Sequence, residues 1–535
     1  MNTPTITPQR PGQPAARHGF APQLRAEWTK FRTVRGWVIG IVVAALVMVV
    51  FGLLVATGGS TNCDANPANP AGRSGAACLP HFPLGPGGEA VSDNFYFVRQ
   101  PLDGNGSITV RVTSLTGLYS PHGGIAVGPN PEAGLRPGVQ PWSKAGIIIK
   151  ASAKQGSAYA AMMVTGDHGV RMQYDYTQDT AGLAGTVSVA SPRWLRLIRS
   201  GDTVTGYDSA DGTHWTQAGT AHLAGLPATV QAGLFAASPD HARVVSSLGG
   251  GSTTTGPTLA TGVFDHASLA GARPGAGWRG GTVGSSSGGF PVSVSGFKQA
   301  GGGFTVTGSG DIAPLAASGF TTIGQFLRGA FAGLIAVVVV AVMFITAEYR
   351  RGLIRTTLAA SPRRGRVLAA KSIVAGAVTL VAGLAAAAVV VPLALRLSHG
   401  KGFYVLPVTA LTELRVMAGS AAVLAVTAVL AVAIGTMLRR SAAAVTAVVV
   451  VIILPYILGT AAVLPLSAEQ WLLRLTPAAA FAIQQSVPQY AQVTDNYTPT
   501  NGFFPLPPWG GFAVLCAWAA LALASAHYLL RRRDA

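Results

Sequence analysis

Apolar residues gather in six long runs along the chain, and between the first two the pattern changes altogether. Trp37–Thr57 is 21 uncharged residues, about 30 Å of helix at roughly 1.5 Å per residue, enough to cross a bilayer once. Further runs at 324–347, 372–395, 414–438, 442–464 and 510–530 bring the predicted spans to six. Just ahead of the first, Leu24-Arg-Ala-Glu-Trp-Thr-Lys-Phe-Arg-Thr-Val-Arg35 sets Leu24, Trp28, Phe31 and Val34–Trp37 at helical spacing, with a basic face opposite. That predicts an amphipathic helix lying along the membrane surface, so that 24–57 forms one unit with the first span. Residues 1–23 carry no periodicity and read as a disordered tail. The 36 residues before the first run and its 21-residue core both exceed signal-peptide dimensions, which favours an uncleaved anchor over a cleaved signal.

In 58–322 the long runs vanish and Gly, Ser and Thr dominate. Short strand-like stretches alternate with turn clusters at Ile108–Val112, Lys144–Lys150, Tyr159–Val164, Val170–Tyr176, Trp194–Arg199, Thr203–Asp208 and Val230–Phe235. Many short strands at this spacing predict an antiparallel sandwich over 90–247. A Pro/Gly-rich linker (58–89) precedes it. Behind it, 248–322 holds a Gly/Ser/Thr-rich link (248–258) and a smaller β segment (259–313). The expected fold class is an α-helical polytopic membrane protein of six transmembrane helices, with an all-β jelly-roll or sandwich domain inserted after the first. Residues 323–535 form the rest of the membrane domain.

Charge fixes the expected orientation. Of the 535 residues 49% are hydrophobic and only 11% charged, against roughly 25% in soluble domains. The net charge of +18 could suggest a nucleic-acid binder, but its location argues otherwise. Residues 1–36, 348–371, Arg439–Arg440 and Arg531–Arg533 hold 18 of the 38 basic residues, opposed only by Glu27, Glu348 and Asp534. Segment 58–322 is nearly neutral, with 15 basic and 14 acidic residues. Positive charge confined to short loops beside apolar runs is the positive-inside signature, so no nucleic-acid partner is expected. It predicts a multi-pass plasma-membrane protein with both termini cytoplasmic and 58–322 extracellular. In that compartment Cys63 and Cys78 can form a disulfide, two free thiols being the other reading.

The membrane part resembles the permease subunits of ABC-2 type transporters, particularly those of actinobacteria. The resemblance rests on the amphipathic stretch Leu24–Arg32, on Glu348-Tyr-Arg-Arg-Gly-Leu-Ile-Arg-Thr-Thr-Leu-Ala-Ala-Ser-Pro-Arg-Arg-Gly-Arg-Val-Leu-Ala-Ala-Lys371, and on Leu475-Thr-Pro-Ala-Ala-Ala ahead of the last helix. It implies that 348–371 is a cytoplasmic coupling element resting on a separate ABC ATPase subunit. Glu348, Tyr349, Arg350, Arg351, Arg355, Arg363 and Arg364 would make that contact, assisted by Glu27, Trp28 and Lys30 of the amphipathic helix. It also implies a homodimer or paired permeases. The plainer reading of these basic residues is topology and contact with membrane lipid. Lys144–Lys150, Gly169–Tyr174, Trp194–Asp202 and Ser209–Thr216 make the β region similar to concanavalin-like (laminin-G-like) domains. Such domains often bind carbohydrate, so a glycan is a candidate ligand.

No enzymatic chemistry is expected of this chain. Gly365-Arg-Val-Leu-Ala-Ala-Lys371-Ser372 approaches a phosphate loop but has Ala370 where the second glycine must stand, and it runs straight into a predicted span. The β region's acids are scattered without a hydrolase pairing, and His168, His214 and His222 lack metal-ligand spacing. Neither cofactor nor metal is therefore expected. Trp194 and Trp215 could stack a sugar, but core packing is the favoured reading. Glu413 and Arg415 mark the outer end of the fourth span, where they can reach water. The function implied is the membrane-spanning subunit of an ABC-2 export system, coupling ATP hydrolysis on another chain to translocation. The alternative is a membrane-anchored glycan-binding sensor or adhesin, for which one span would suffice.

Overall fold

A computed structural model describes residues 19–58, 82–121, 135–247, 250–284, 294–315, 320–350, 352, 364–461, 463–495 and 497–533. Cys63, Cys78, Arg351, Arg355 and Arg363 lie outside the described residues, as does most of the 348–371 connection.

Six helices are long and apolar enough to cross a membrane: Arg35–Thr57, Ile323–Arg350, Arg364–Gly400, Ala410–Leu438, Ser441–Thr460 and Pro508–Arg532. They match the six apolar runs, with one informative difference. The third begins at Arg364, a turn or two earlier than its apolar run, so 364–371 is helix and not loop. The first and second spans meet through small residues. A Cβ added at Gly333 would touch the Ala44 carbonyl, and one at Gly329 the Met48 carbonyl. Lipid offers no hydrophobic drive for helix pairing, so backbones must approach closely for packing to hold them, and small residues permit it. In the fifth span a π-helical turn, Val449–Ile453, precedes Pro455, whose missing N–H leaves the ladder one donor short. Pro477–Gln484 follows as a fully buried 3-10 stretch against which the last span packs.

The β domain is built on one long strand, Phe95–Tyr119, which bends where Gly104 takes a positive φ of 67°. Its first part pairs with Thr229–Ala237 and its later part with Arg193–Ser200 and Thr258–Ala272. By bridging these neighbours it gathers 14 of the described strands into one continuous antiparallel sheet that folds over on itself. Lys144–Lys150 and Tyr159–Thr165 lie at its centre and are buried on both faces: Ile147, Ile149 and Met162 enter one core, Ile148, Tyr159 and Met163 another. Burial on both faces explains the unbroken apolar run Ala-Gly-Ile-Ile-Ile, where a half-buried strand would alternate. The smaller segment 259–313 does not stand apart: Thr258–Ala272 and Gly303–Gly308 belong to this same sheet, where Ala260–Phe264 pairs with Phe304–Gly308. Its Gly/Ser-rich start is strand as well, but apart from that sheet: Gly250–Gly256 pairs with His241–Ser247 as a two-stranded ladder.

Two lysines close the domain. Lys150 and Lys144 flank the apolar run, and neither has any exposed surface. Lys150 Nζ donates to Asp93 Oδ2 (2.7 Å), Ser157 O (3.0 Å) and Tyr176 Oη (3.0 Å). Lys144 Nζ donates to Asp311 Oδ1 (2.6 Å) and the Ile312 carbonyl (3.0 Å). Asp93 lies where the chain enters the domain and Asp311 where it leaves. The two segments also pair directly, Val91 opposite Pro314 and Asp93 opposite Ile312.

Candidate functional site

At the end of the bundle away from the β domain, three helices bring four charges into one cluster, three of them buried. Phe20–Thr33, the amphipathic helix predicted from its spacing, supplies Glu27 and Lys30. The last turn of the second span supplies Glu348, and the third span supplies Lys371 two turns from its start. Lys371 Nζ donates to Glu27 Oε2 (2.6 Å) and Glu348 Oε1 (2.8 Å). Lys30 Nζ donates to Glu27 Oε1 (2.8 Å) and Glu348 Oε1 (3.0 Å). Two cations and two anions therefore sum to zero, which is the condition under which charges tolerate burial. Lys371 has no exposed surface and Glu27 only 2%.

Aromatic rings seal the cluster. The Lys371 ammonium lies 4.4 Å from the Phe344 ring centre, within cation–π range. Phe31, Trp37 and Phe344 pack mutually at 5.1–6.0 Å, so a residue from the amphipathic helix, one from the first span and one from the second share a contact. Burial alone would depress the Lys30 ammonium. The hydrogen bond and charge of Glu27, joined by those of Glu348, outweigh it and raise the group above its ordinary value. Near the same end, the Arg439 guanidinium stands 5.2 Å from the Tyr349 ring, where Arg439 caps the fourth span in a left-handed conformation. The helix ends are thus fastened by directional contacts as well as by packing.

Of the residues singled out from sequence, Glu27, Lys30 and Glu348 meet at this point. Trp28 does not: it faces outward, 46% exposed. Arg350 is exposed, and Arg364 donates to the Leu530 carbonyl (2.8 Å), tying the third span to the last. The apolar count begins at Ser372, so by sequence Lys371 falls in the loop. Its signal was nonetheless present, since Val367, Leu368, Lys371, Val374 and Ala375 recur at helical spacing on the buried face. The same helix disposes of the phosphate-loop resemblance, for Gly365–Ser372 is helical and its lysine is consumed by two carboxylates.

In the β domain the core assignment of Trp194 and Trp215 is corrected. Leu195 and Leu197 point into the core, so by strand alternation Trp194 and Arg196 share the outer face. Both tryptophans are half-buried there. The Arg196 guanidinium lies 3.8 Å over Trp215, and Trp194 packs under the turn at Gly212 and against His266. These faces are already covered by protein. At the far end of the fourth span Arg415 is half-buried and donates to the Gln485 carbonyl, so it anchors a loop as well as reaching the boundary.

Comparison with known proteins bears on the whole chain. Residues 159–535 match the family described as "ABC-2 family transporter protein". No curated protein matches the chain. Among solved structures, similarity extends to a mutant of the GH43 protein BlXynB from Bacillus licheniformis (16% identity, TM-score 0.16, 25% of this chain and 24% of that one). It extends also to a functionally unknown protein from Saccharomyces cerevisiae (14% identity, TM-score 0.21, 37% and 85%) and to scytalido-glutamic peptidase with a peptide-based transition state analog (8% identity, TM-score 0.24, 41% and 98%). The chain spans about a quarter of the first of these. Overlaps this slight carry no argument about what the β domain does. The family match is of another order, taking in well over half the sequence and five of the six spans, and on that basis the chain belongs to the ABC-2 family of transporter proteins, as a multi-pass membrane permease.

Proposed function

We propose that this chain is the membrane half of an ABC-2 exporter, working as a dimer with separate ATP-hydrolysing subunits that dock beside the buried charge cluster. The cluster is the observation that carries the reading. An amphipathic helix that merely lay on the lipid surface would have no need of two salt bridges to the second and third spans. Locked as it is, a push on that helix or on the adjoining 348–371 connection is delivered to both spans. Arg350, Arg351, Arg355, Arg363 and Arg364 supply the positive charge of the docking face. In this orientation both termini and the basic connections are cytoplasmic, and the β domain is extracellular, in keeping with the distribution of Lys and Arg.

Reversing charge at Arg350, Arg351 and Arg355 tests the docking face. An interfacial pair broken on one side costs about 2–5 kcal/mol when buried and much less at a solvated rim. The expected outcome is loss of ATPase co-purification and of coupled hydrolysis in reconstituted membranes, with insertion preserved by Arg363, Arg364, Arg366 and Lys371. Unchanged co-purification and hydrolysis in a correctly inserted variant would remove these arginines from the coupling path. Cysteine labelling of intact cells tests orientation separately: positions 105 and 210 should react with an impermeant reagent.

A further inference from the structure

The β domain is seated on the membrane half through defined contacts. Phe82 of the β-domain side packs edge-on against Phe320 (5.1 Å) and Tyr404 (4.9 Å). Leu406 N donates to the Thr321 carbonyl (3.0 Å), and Gln492, buried in the loop before the last span, donates from Nε2 to the Tyr176 carbonyl (2.9 Å). Between these contacts lies a cavity of about 200 Å³. Glu89 and Thr177 line it from the β domain; Thr409, Thr412, Ser486 and Tyr490 line it from the membrane half. Proline, leucine and valine side chains make up most of the remaining wall.

Its chemistry is lopsided. Among the described residues that line it, Glu89 alone carries a formal charge at neutral pH, and none is a lysine, arginine or histidine. Glu89 Oε1 and Ser486 Oγ are both buried without a hydrogen-bond partner among the described residues, and Ser486 as a whole is 9% exposed. Native proteins seldom leave such groups unsatisfied. The carboxylate lies over the turn at its own N-terminal side, Oε1 nearest Gly85 and Oε2 nearest Gly87. Burial pushes the Glu89 carboxyl up, with Asp175 adding to it and the backbone N–H groups of Glu89 and Gly87 opposing; burial, with Glu89 nearby, pushes Tyr490 up to about 12.

We propose that this cavity binds a small organic ammonium ion, with Glu89 as counter-ion, Ser486 as a hydrogen-bond partner and the Tyr490 ring as part of the wall. A hard metal ion fits the lining poorly. Calcium seeks about six to eight oxygen ligands, whereas one carboxylate and a largely apolar wall face the cavity. An alkylammonium accepts such a wall and gains from an aromatic ring. At about 30 Å³ per water the space holds roughly six waters, the size of a ligand of about six to eight heavy atoms. Because the lining comes from both halves, bound ligand would hold the β domain in its seat.

The experiment uses the full-length protein in lipid nanodiscs, with choline and ethanolamine as probes in calorimetry and thermal melting. The expected result is saturable binding and a raised melting temperature. Affinity should fall roughly tenfold or more in E89Q, as expected for losing a charge-assisted contact, and more modestly in S486A. T412W, which fills the cavity from the membrane side and leaves the carboxylate intact, should abolish binding and decides the matter if E89Q melts abnormally. Equal binding of choline and its uncharged carbon isostere, undiminished binding in T412W, or a response to calcium alone would overturn the proposal.

Discussion

Replacing Lys371 with methionine removes one charge from a cluster that is neutral as built. Glu27 Oε2 loses a 2.6 Å partner and Glu348 Oε1 a 2.8 Å partner, while Glu348 Oε2 already accepts no hydrogen bond among the described residues. Lys30, with 40% of its side chain exposed, cannot neutralise two buried carboxylates alone. Breaking one side of a buried ion pair costs about 3–5 kcal/mol, mostly from the charge left behind. At about 2–4 °C per kcal/mol for a body of roughly 150–250 residues, the melting temperature should fall by some 6–20 °C. The informative measurement is a cycle. E27Q with K371M leaves Lys30 and Glu348 as a matched pair, so the double variant should melt higher than K371M alone. Strict additivity, or a K371M protein that melts like wild type, would refute the reasoning and reduce the cluster to incidental surface pairing.

Other outcomes follow from single contacts. Asp208 is fully buried, its Oδ2 accepts from Leu183 N at 2.6 Å, and burial holds its carboxyl above the ordinary 3.8. The folded state thus binds this proton more tightly than the unfolded chain, so β-domain stability should rise as pH falls from neutral through the raised value towards 3.8. D208N should flatten that slope in melting curves taken across pH. A Cβ at Gly52 would meet Val390 and, at 2.5 Å, the Phe326 carbonyl, so G52V should destabilise the bundle by about 1–3 kcal/mol or more in detergent melting. Gly36 has open space around its missing Cβ, and G36A should be neutral. W215A removes a half-buried ring, its cation–π contact with Arg196 and its Nε1 bond to the Gly212 carbonyl, and should cost about 1–2 kcal/mol in melting. Non-reducing peptide maps of the membrane-isolated protein should recover Cys63 joined to Cys78.

The membrane half was legible because lipid imposes a simple rule: an apolar run long enough to cross becomes a helix. Boundaries blurred where a charge was buried by pairing, as at Lys371, since hydropathy scores a lysine as exposed wherever it occurs. Glu27, Lys30 and Glu348 could be singled out one by one, yet their meeting depends on two carboxylates 321 residues apart sharing the same ammonium groups. In the β domain, short strands were visible but their partners were not. The 25-residue strand Phe95–Tyr119 reads as a five-residue segment because Asp103-Gly104-Asn105-Gly106 looks like a terminating turn and is in fact a bend within one strand. Lys144 and Lys150 looked like the polar ends of a strand; their burial rests on Asp311 and Asp93, which no local pattern connects to them.

The pairing of Val91–Asp93 with Ile312–Pro314 makes the β domain a transplantable cassette. Opposed residues of an antiparallel ladder stand only about 5 Å apart, so the chain leaves the domain beside where it entered. One loop between the first two helices can therefore carry it without prising them apart, because closing a loop costs little more when the loop is longer. The reverse operation is equally available: a short turn could replace the whole insert, leaving six helices to report what remains when the β domain is gone.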